Sequence, residues 1–268
     1  MSDQNFREML SGFRKSSEHD LCTFLEAETN RFPSNLTLLS RYRKAYDICF
    51  DRGRSDLNKF MEAHNEICVA VALLEADDGK SVRRLEYELP LAATDRRFDF
   101  FIQRNDDKHL WVEVKSIRSQ RLDAWDKFTS VKDRGLLSEK TEVLLSQDFL
   151  GGEIWHDWMA GRSKMLEYCV QTEEKIKLAG AEVRDDIFVL WFCVRPPSWN
   201  LSHLEDFVAF YRSGVHRYDD SFGKMEKHYL ESNQIQLSRS IHDFVLLERN
   251  DLDVRWRNLT WKVNPPRW

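Results

Sequence analysis

The sequence predicts an α/β fold: a mixed central β-sheet flanked by helices, with a helical N-terminal extension and a mixed C-terminal one. Three observations carry this expectation. An apolar stripe at helical spacing runs from Leu57 to Leu74, three strand-like runs follow it before Ile117, and a second helix-like segment then leads into the apolar run 187–194. The order from Ser55 to Val194 therefore reads helix, strand, strand, strand, helix, strand. Along the chain this gives a helical N-terminal region over 1–54 packed on the core, a core over 55–198 and a Trp-rich C-terminal extension over 199–268.

The N-terminal region carries two short stripes. Leu21, Phe24 and Leu25 form one; Leu38, Leu39, Tyr42, Tyr46 and Cys49 form the other, with Pro33-Ser34-Asn35 between them. The clearest helix follows, with Ser55 as its cap. Leu57, Phe60, Met61, His64, Ile67, Cys68, Val71 and Leu74 recur at intervals of three and four, and Asp77-Asp78-Gly79 ends the segment. The strand candidates are 83–89, closed by Pro90, then 97–103 and 109–117. Arg104 to Lys108 is polar turn material, so the last two form a hairpin. The stretch 120–152 is polar and mixed and carries no assignment. A helix over about 162–178 ends near Gly180. The run 187–194, rich in β-branched and aromatic residues and stopped by Pro196-Pro197, is a buried strand. A capping box from Ser202 to Glu205 opens a helix through Tyr211, and short pieces around Trp256, Trp261 and Trp268 close the chain.

Composition bounds the function. With 268 residues, 42% hydrophobic and 32% charged, the chain is long enough for one substantial core and reads as globular. No apolar run approaches the roughly 18 to 20 residues needed to cross a bilayer. Residues 1–14 mix acids and bases without an apolar segment, which excludes a secretory signal from this reading. The five cysteines, Cys22, Cys49, Cys68, Cys169 and Cys193, are scattered and odd in number, as expected for reduced thiols in a cytoplasmic protein. No Cys or His pair has zinc-ligand spacing. The net charge of −5 argues against nucleic-acid binding only in total. Basic residues cluster locally at Arg83-Arg84, Arg96-Arg97, Lys115-Arg118-Arg121 and Arg255-Arg257-Lys262.

The hairpin carries the chemistry. Side chains alternate along a strand, so Glu113 and Lys115 share a face while Val112 and Val114 point into the core. In the preceding strand Arg97, Asp99 and Phe101 share one face, and Phe98, Phe100 and Ile102 the other. With a five-residue turn, Gln103 lies opposite His109, Phe101 opposite Trp111 and Asp99 opposite Glu113. Two opposed carboxylates repel unless a cation lies between them. Oxygen ligands without His or Cys suit Mg²⁺ or Mn²⁺. A neighbouring lysine can orient or deprotonate water, or stabilise charge on a phosphate. Together these are the parts of metal-assisted phosphodiester hydrolysis.

The run RRFDFFIQRNDDKHLWVEVKS, Arg96 to Ser116, resembles the PD-(D/E)XK nuclease superfamily. The resemblance covers about half the chain and includes the order of core elements. It departs from the motif at Phe98, where a Pro would stand. It implies a restriction-endonuclease-like core and a Mg²⁺- or Mn²⁺-dependent deoxyribonuclease. Asp99, Glu113 and the backbone carbonyl of Val114 would bind metal, with Lys115 as the catalytic lysine. Glu66 matches the acid that many members take from the helix before the sheet; Glu75 matches less well, and Asp95 rivals Asp99. The helix after the third strand borders the substrate groove in that family, which marks Lys164, Tyr168, Gln171 and Lys175 as candidate DNA contacts. The bland alternatives are an exposed strand face of alternating charge for Glu113–Lys115, and solvated helix faces for Glu66 and for the Lys164 set. A bare Glu-x-Lys also recurs at Glu173–Lys175 inside the helix. Three functions are compatible with this sequence: a solitary nuclease on DNA, a nuclease acting in defence with a protein partner or as a homodimer, and a catalytically idle fold within a larger nucleic-acid-processing complex.

Overall fold

A computed structural model of the protein describes residues 20–51, 57–75, 82–91, 96–105, 107, 109–117, 151–180, 186–194, 201–217, 221–250 and 253–258. The elements are α1 (Asp20–Ala27), α2 (Asn35–Asp51), α3 (Leu57–Glu75), β1 (Val82–Pro90), β2 (Arg97–Arg104), β3 (His109–Ile117), α4 (Gly151–Ala179), β4 (Ile187–Val194), α5 (Leu201–Ser213), α6 (Ser221–Ser232), β5 (Asp243–Asn250) and β6 (Asp253–Asn258). The fold is α/β, and six strands form one open mixed sheet in the order β1-β2-β3-β4-β5-β6. β1 with β2, β2 with β3, and β5 with β6 are antiparallel.

The expected order of elements from the long helix to β4 is present. Several elements differ from the expectation. α4 begins at Gly151, well before residue 162, because paired glycines cost a helix little in its first turn although they read as loop. α5 begins at Leu201, one residue ahead of the expected Ser202 cap, and reaches Ser213. α6 was not anticipated. β5 and β6 join the sheet where the sequence suggested only short Trp-rich pieces: Phe244 to Leu247 is too short an apolar run to distinguish strand from helix. Ser55, Asp95 and the tail tryptophans Trp261 and Trp268 lie outside the described residues.

The chain divides into two compact units, each built from several segments of the sequence. The first contains α1–α3, β1–β3 up to Ser116, the end of α4 from Thr172, β4 up to Cys193, and β5 with β6; the second contains α4 up to Gln171, α5 and α6.

In the first unit the large core is built from α1–α3 against one sheet face. Leu38, Tyr42, Phe60, Ile67 and Val71 meet Leu85, Phe100, Ile102, Leu110, Val112, Val189 and Trp191. A small aromatic cluster of Leu91, Phe98, Phe101, Trp111 and Phe188 packs with Ile176 and Ala179 of α4. β4 lies inside the sheet and is buried at every position but its first, as its unbroken apolar run requires. β1 is an edge strand whose carbonyls are partly covered: Arg31 Nη2 donates to Val82 O at 2.8 Å and Ser34 Oγ to Leu85 O at 2.8 Å. Cys22, Cys68, Cys169 and Cys193 are buried, and none of them is joined in a disulfide among the described residues. Among the described residues, no helix is long and apolar enough to cross a membrane.

Candidate functional site

The β2–β3 hairpin has the register that its turn length implies. Gln103 pairs with His109, Phe101 with Trp111 and Phe100 with Val112. The ladder then stops, so the expected backbone pairing of Asp99 with Glu113 is not formed. Instead Val114 N–H donates to Asp99 Oδ2 at 2.6 Å. The carboxylate substitutes for the backbone acceptor that the parting strands no longer supply.

Alternation also breaks at this point. In the β1–β2 ladder Tyr87 pairs with Phe100 and Leu89 with Phe98, leaving Glu88 and Asp99 between these pairs. Tyr87 and Phe100 belong to the large core, whereas Phe98 belongs to the small aromatic cluster, with Leu89 packed against it. Phe98 therefore does not share a face with Phe100 and Ile102, contrary to the expectation from simple alternation. The cause is visible at Glu88, whose φ of 53° places a non-glycine residue in the left-handed region. Both strands change face there, and Asp99 sits at the change.

β3 keeps its alternation. Val112 faces the large core, with Val114 packed against it, and Trp111 the small cluster; Glu113, of Trp111's parity, is fully buried at 0% exposure. Its Oε1 accepts from Lys115 Nζ and, at 2.5 Å, from Lys175 Nζ of α4. Its Oε2 is buried and has no hydrogen-bond partner among the described residues. Lys175 also donates to Arg97 O at 2.9 Å and lies 5.5 Å from the Phe98 ring centre. Burial pushes the Asp99 carboxyl up to about 8, Glu113 adds to the rise, and Lys115 and the Val114 N–H oppose it.

Glu66 of α3 is buried, but its Oε2 is occupied. Tyr87 Oη donates to it at 2.5 Å and Arg41 Nη1 of α2 lies at 3.2 Å. Arg41 also binds Tyr87 Oη and, at 2.8 Å, Glu88 Oε1. Burial raises the Glu66 carboxyl, while Tyr87 and Arg41 oppose the rise. Its charge in turn raises Asp99. Among the described residues, however, no three His, Cys, Asp or Glu side chains converge in the manner of a metal cluster. The structure thus brings Asp99, Glu113 and Lys115 together and leaves Glu66 beside them as an electrostatic neighbour.

Of the candidate DNA contacts, Lys164 is exposed and paired with Glu167 at 2.5 Å, Gln171 is exposed and Tyr168 half-buried. Lys175 is only 17% exposed and is drawn onto Glu113. Arg41, Tyr87 and Glu88 were not singled out by the sequence, because no spacing rule links a residue on α2 to one on β1.

The fit of a divalent cation is tested by the donor set. Two acids and an orphaned, buried carboxylate oxygen suit a hard cation, and the two ammonium groups on Glu113 Oε1 show how strongly that oxygen draws positive charge. Comparison with protein-family models, curated proteins and solved structures finds no match.

Proposed function

We propose that this chain is a Mg²⁺- or Mn²⁺-dependent nuclease with a restriction-endonuclease-like core, hydrolysing phosphodiester bonds of DNA. The observation that supports this reading best is the Glu113 carboxylate: it is fully buried beside Asp99, with one oxygen between two ammonium groups and the other without a hydrogen-bond partner among the described residues.

Asp99 and Glu113 would hold the cation, with the Val114 carbonyl as the further ligand that the family resemblance implies. A cation bound there supplies Lewis-acid polarisation of a phosphate oxygen and lowers the pKa of a bound water. Asp99 must lose its proton before it can ligate, so its raised pKa makes cation affinity rise with pH towards about 8. Lys115, 22% exposed and in contact with Glu113, has its ammonium within reach of an attacking water or of a phosphate oxygen. Phe98 and Trp111 are buried in the small aromatic cluster, and Glu113 is itself fully buried. Dry surroundings strengthen each of these charge interactions.

A second reading keeps the fold and gives up catalysis, with the chain serving as an idle or partner-dependent subunit of a nucleic-acid-processing or defence complex. The occupation of Glu113 Oε1 by two lysines favours it, since a site already neutralised needs no metal. Incubation with circular, linear and single-stranded DNA and with RNA, under Mg²⁺, Mn²⁺ or EDTA, separates the two. The nuclease reading expects metal-dependent cleavage of DNA. An inert protein that also fails to bind Mn²⁺ in a calorimetric titration would move the assignment to the second reading.

A further inference from the structure

We propose that Lys175 is a resident counter-cation of this site that competes with a divalent metal for Glu113. The inference rests on the metal-site reading above and adds a residue that the acid-x-Lys motif does not contain. Lys175 comes from α4, 62 residues from Glu113 in sequence, yet its Nζ lies 2.5 Å from Glu113 Oε1.

Its position is built on three sides. Besides the Glu113 contact, Nζ donates to Arg97 O at 2.9 Å, and the Phe98 ring stands 5.5 Å away. Carbonyl, carboxylate and aromatic face together make a receptor for an ammonium group. Lys115 reaches the same Glu113 oxygen. Two ammonium groups on one carboxylate supply two positive charges, the charge of one divalent cation. A metal approaching Glu113 Oε1 meets both of these ammonium groups and is repelled by them.

Magnitudes decide which role of Lys175 dominates. Fixing the Glu113 rotamer would favour metal by at most about tenfold, the worth of a single ordered side chain. Repulsion between a unit charge and a divalent ion within about 5 Å in partly buried surroundings exceeds that several times over in free energy. Competition therefore outweighs positioning: removal of the charge tightens metal binding even though Glu113 loses a partner. Anionic substrate would lower the same barrier, since a phosphate near the lysines offsets their charge.

The test is a calorimetric titration of the full chain with Mn²⁺ at pH 8, with wild type, Lys175→Met and Lys175→Arg compared. Competition expects the Met variant to bind Mn²⁺ at least about tenfold more tightly than wild type. It expects the charge-retaining Arg variant to stay within about threefold of wild type, an outcome a merely structural lysine would not produce. Wild-type affinity, or weaker, in a Met variant with a native circular dichroism spectrum would overturn the inference while leaving the metal site standing. Silence of all three proteins would overturn the metal site itself. A wild-type measurement guards against misfolding of the variant: the Lys175 ammonium resonance should shift on saturation with Mg²⁺, and an unshifted resonance with Mg²⁺ bound would equally refute the exchange.

Discussion

At the scale of the residue, the site is a place where folding and function oppose each other. The Asp99 carboxyl is raised to about 8, chiefly by burial, so the folded state holds its proton more tightly than the unfolded chain does. The sign follows: the metal-free protein loses stability as pH rises from about 4 through about 8, and the loss is complete above that range. Asp99→Asn removes the ionisation. It should stabilise the metal-free protein by on the order of 2 kcal/mol at pH 8, with little effect at pH 4, and abolish cleavage; parallel melting curves at the two pH values check this. Tyr87→Phe takes a donor from the buried Glu66 carboxylate and should cost about 1–2 kcal/mol in urea unfolding. The meeting of Glu113 and Lys115 is legible in the sequence from strand alternation; the contact of Asp99 with the Val114 N–H is not, because the ladder of β2 and β3 stops short of it. Lys175 and Arg41 are not legible, since their partners lie 62 and 46 residues away and are chosen by helix packing.

At the scale of the element, the informative feature is the change of face in β1 and β2. Period-two alternation places Phe98 with Phe100; the structure places it with Phe101 and Trp111, because Glu88 takes φ 53°. No sequence rule marks Glu88 for that conformation, which Gly or Asn would adopt more readily. Arg41 at 2.8 Å and Arg97 at 3.7 Å hold its carboxylate from two elements. Glu88→Gly should therefore leave stability within about 1 kcal/mol of wild type, as relief of strain offsets two lost ion pairs. Glu88→Val, β-branched and poorly suited to positive φ, should cost about 2 kcal/mol or more and displace Asp99 from the Val114 N–H. Thermal melts and an amide-exchange measurement at Val114 distinguish the two variants. The helices and strands of the core are legible from periodicity. β5 and β6 are not, because a sheet's outer strands owe their existence to a neighbour the local sequence does not name.

At the scale of the whole molecule, each compact unit carries a buried charge system of its own. In the second unit Arg162, 2% exposed, grips Glu226 with Nε and Nη2 at 2.7 Å each and reaches Asp206 at 3.3 Å. His216 Nδ1 lies 3.2 Å from the same Asp206 oxygen, and its ring stacks on Phe210 at 3.9 Å. Burial lowers the His216 pKa, so the imidazole is neutral near pH 7. Arg162→Met would leave Asp206 and Glu226 buried without their guanidinium. It should cost about 3–5 kcal/mol in denaturant unfolding; a cost below about 1 kcal/mol would mean the network is dispensable. The sequence gives no sign of this network, whose members are spread over α4, α5, α6 and the α5–α6 connection. In the first unit the charge system is the one read as a nuclease site.

The central claim is that Glu113 is a metal ligand in a phosphodiesterase site. Its most direct test is the time course of linear duplex DNA cleavage by wild type and by Glu113→Ala, each with Mg²⁺ and with EDTA, on proteins of matched circular dichroism. Cleavage by the wild type that EDTA abolishes and that falls by at least about a thousandfold in Glu113→Ala is the expected result. Cleavage by Glu113→Ala at the wild-type rate would contradict the assignment.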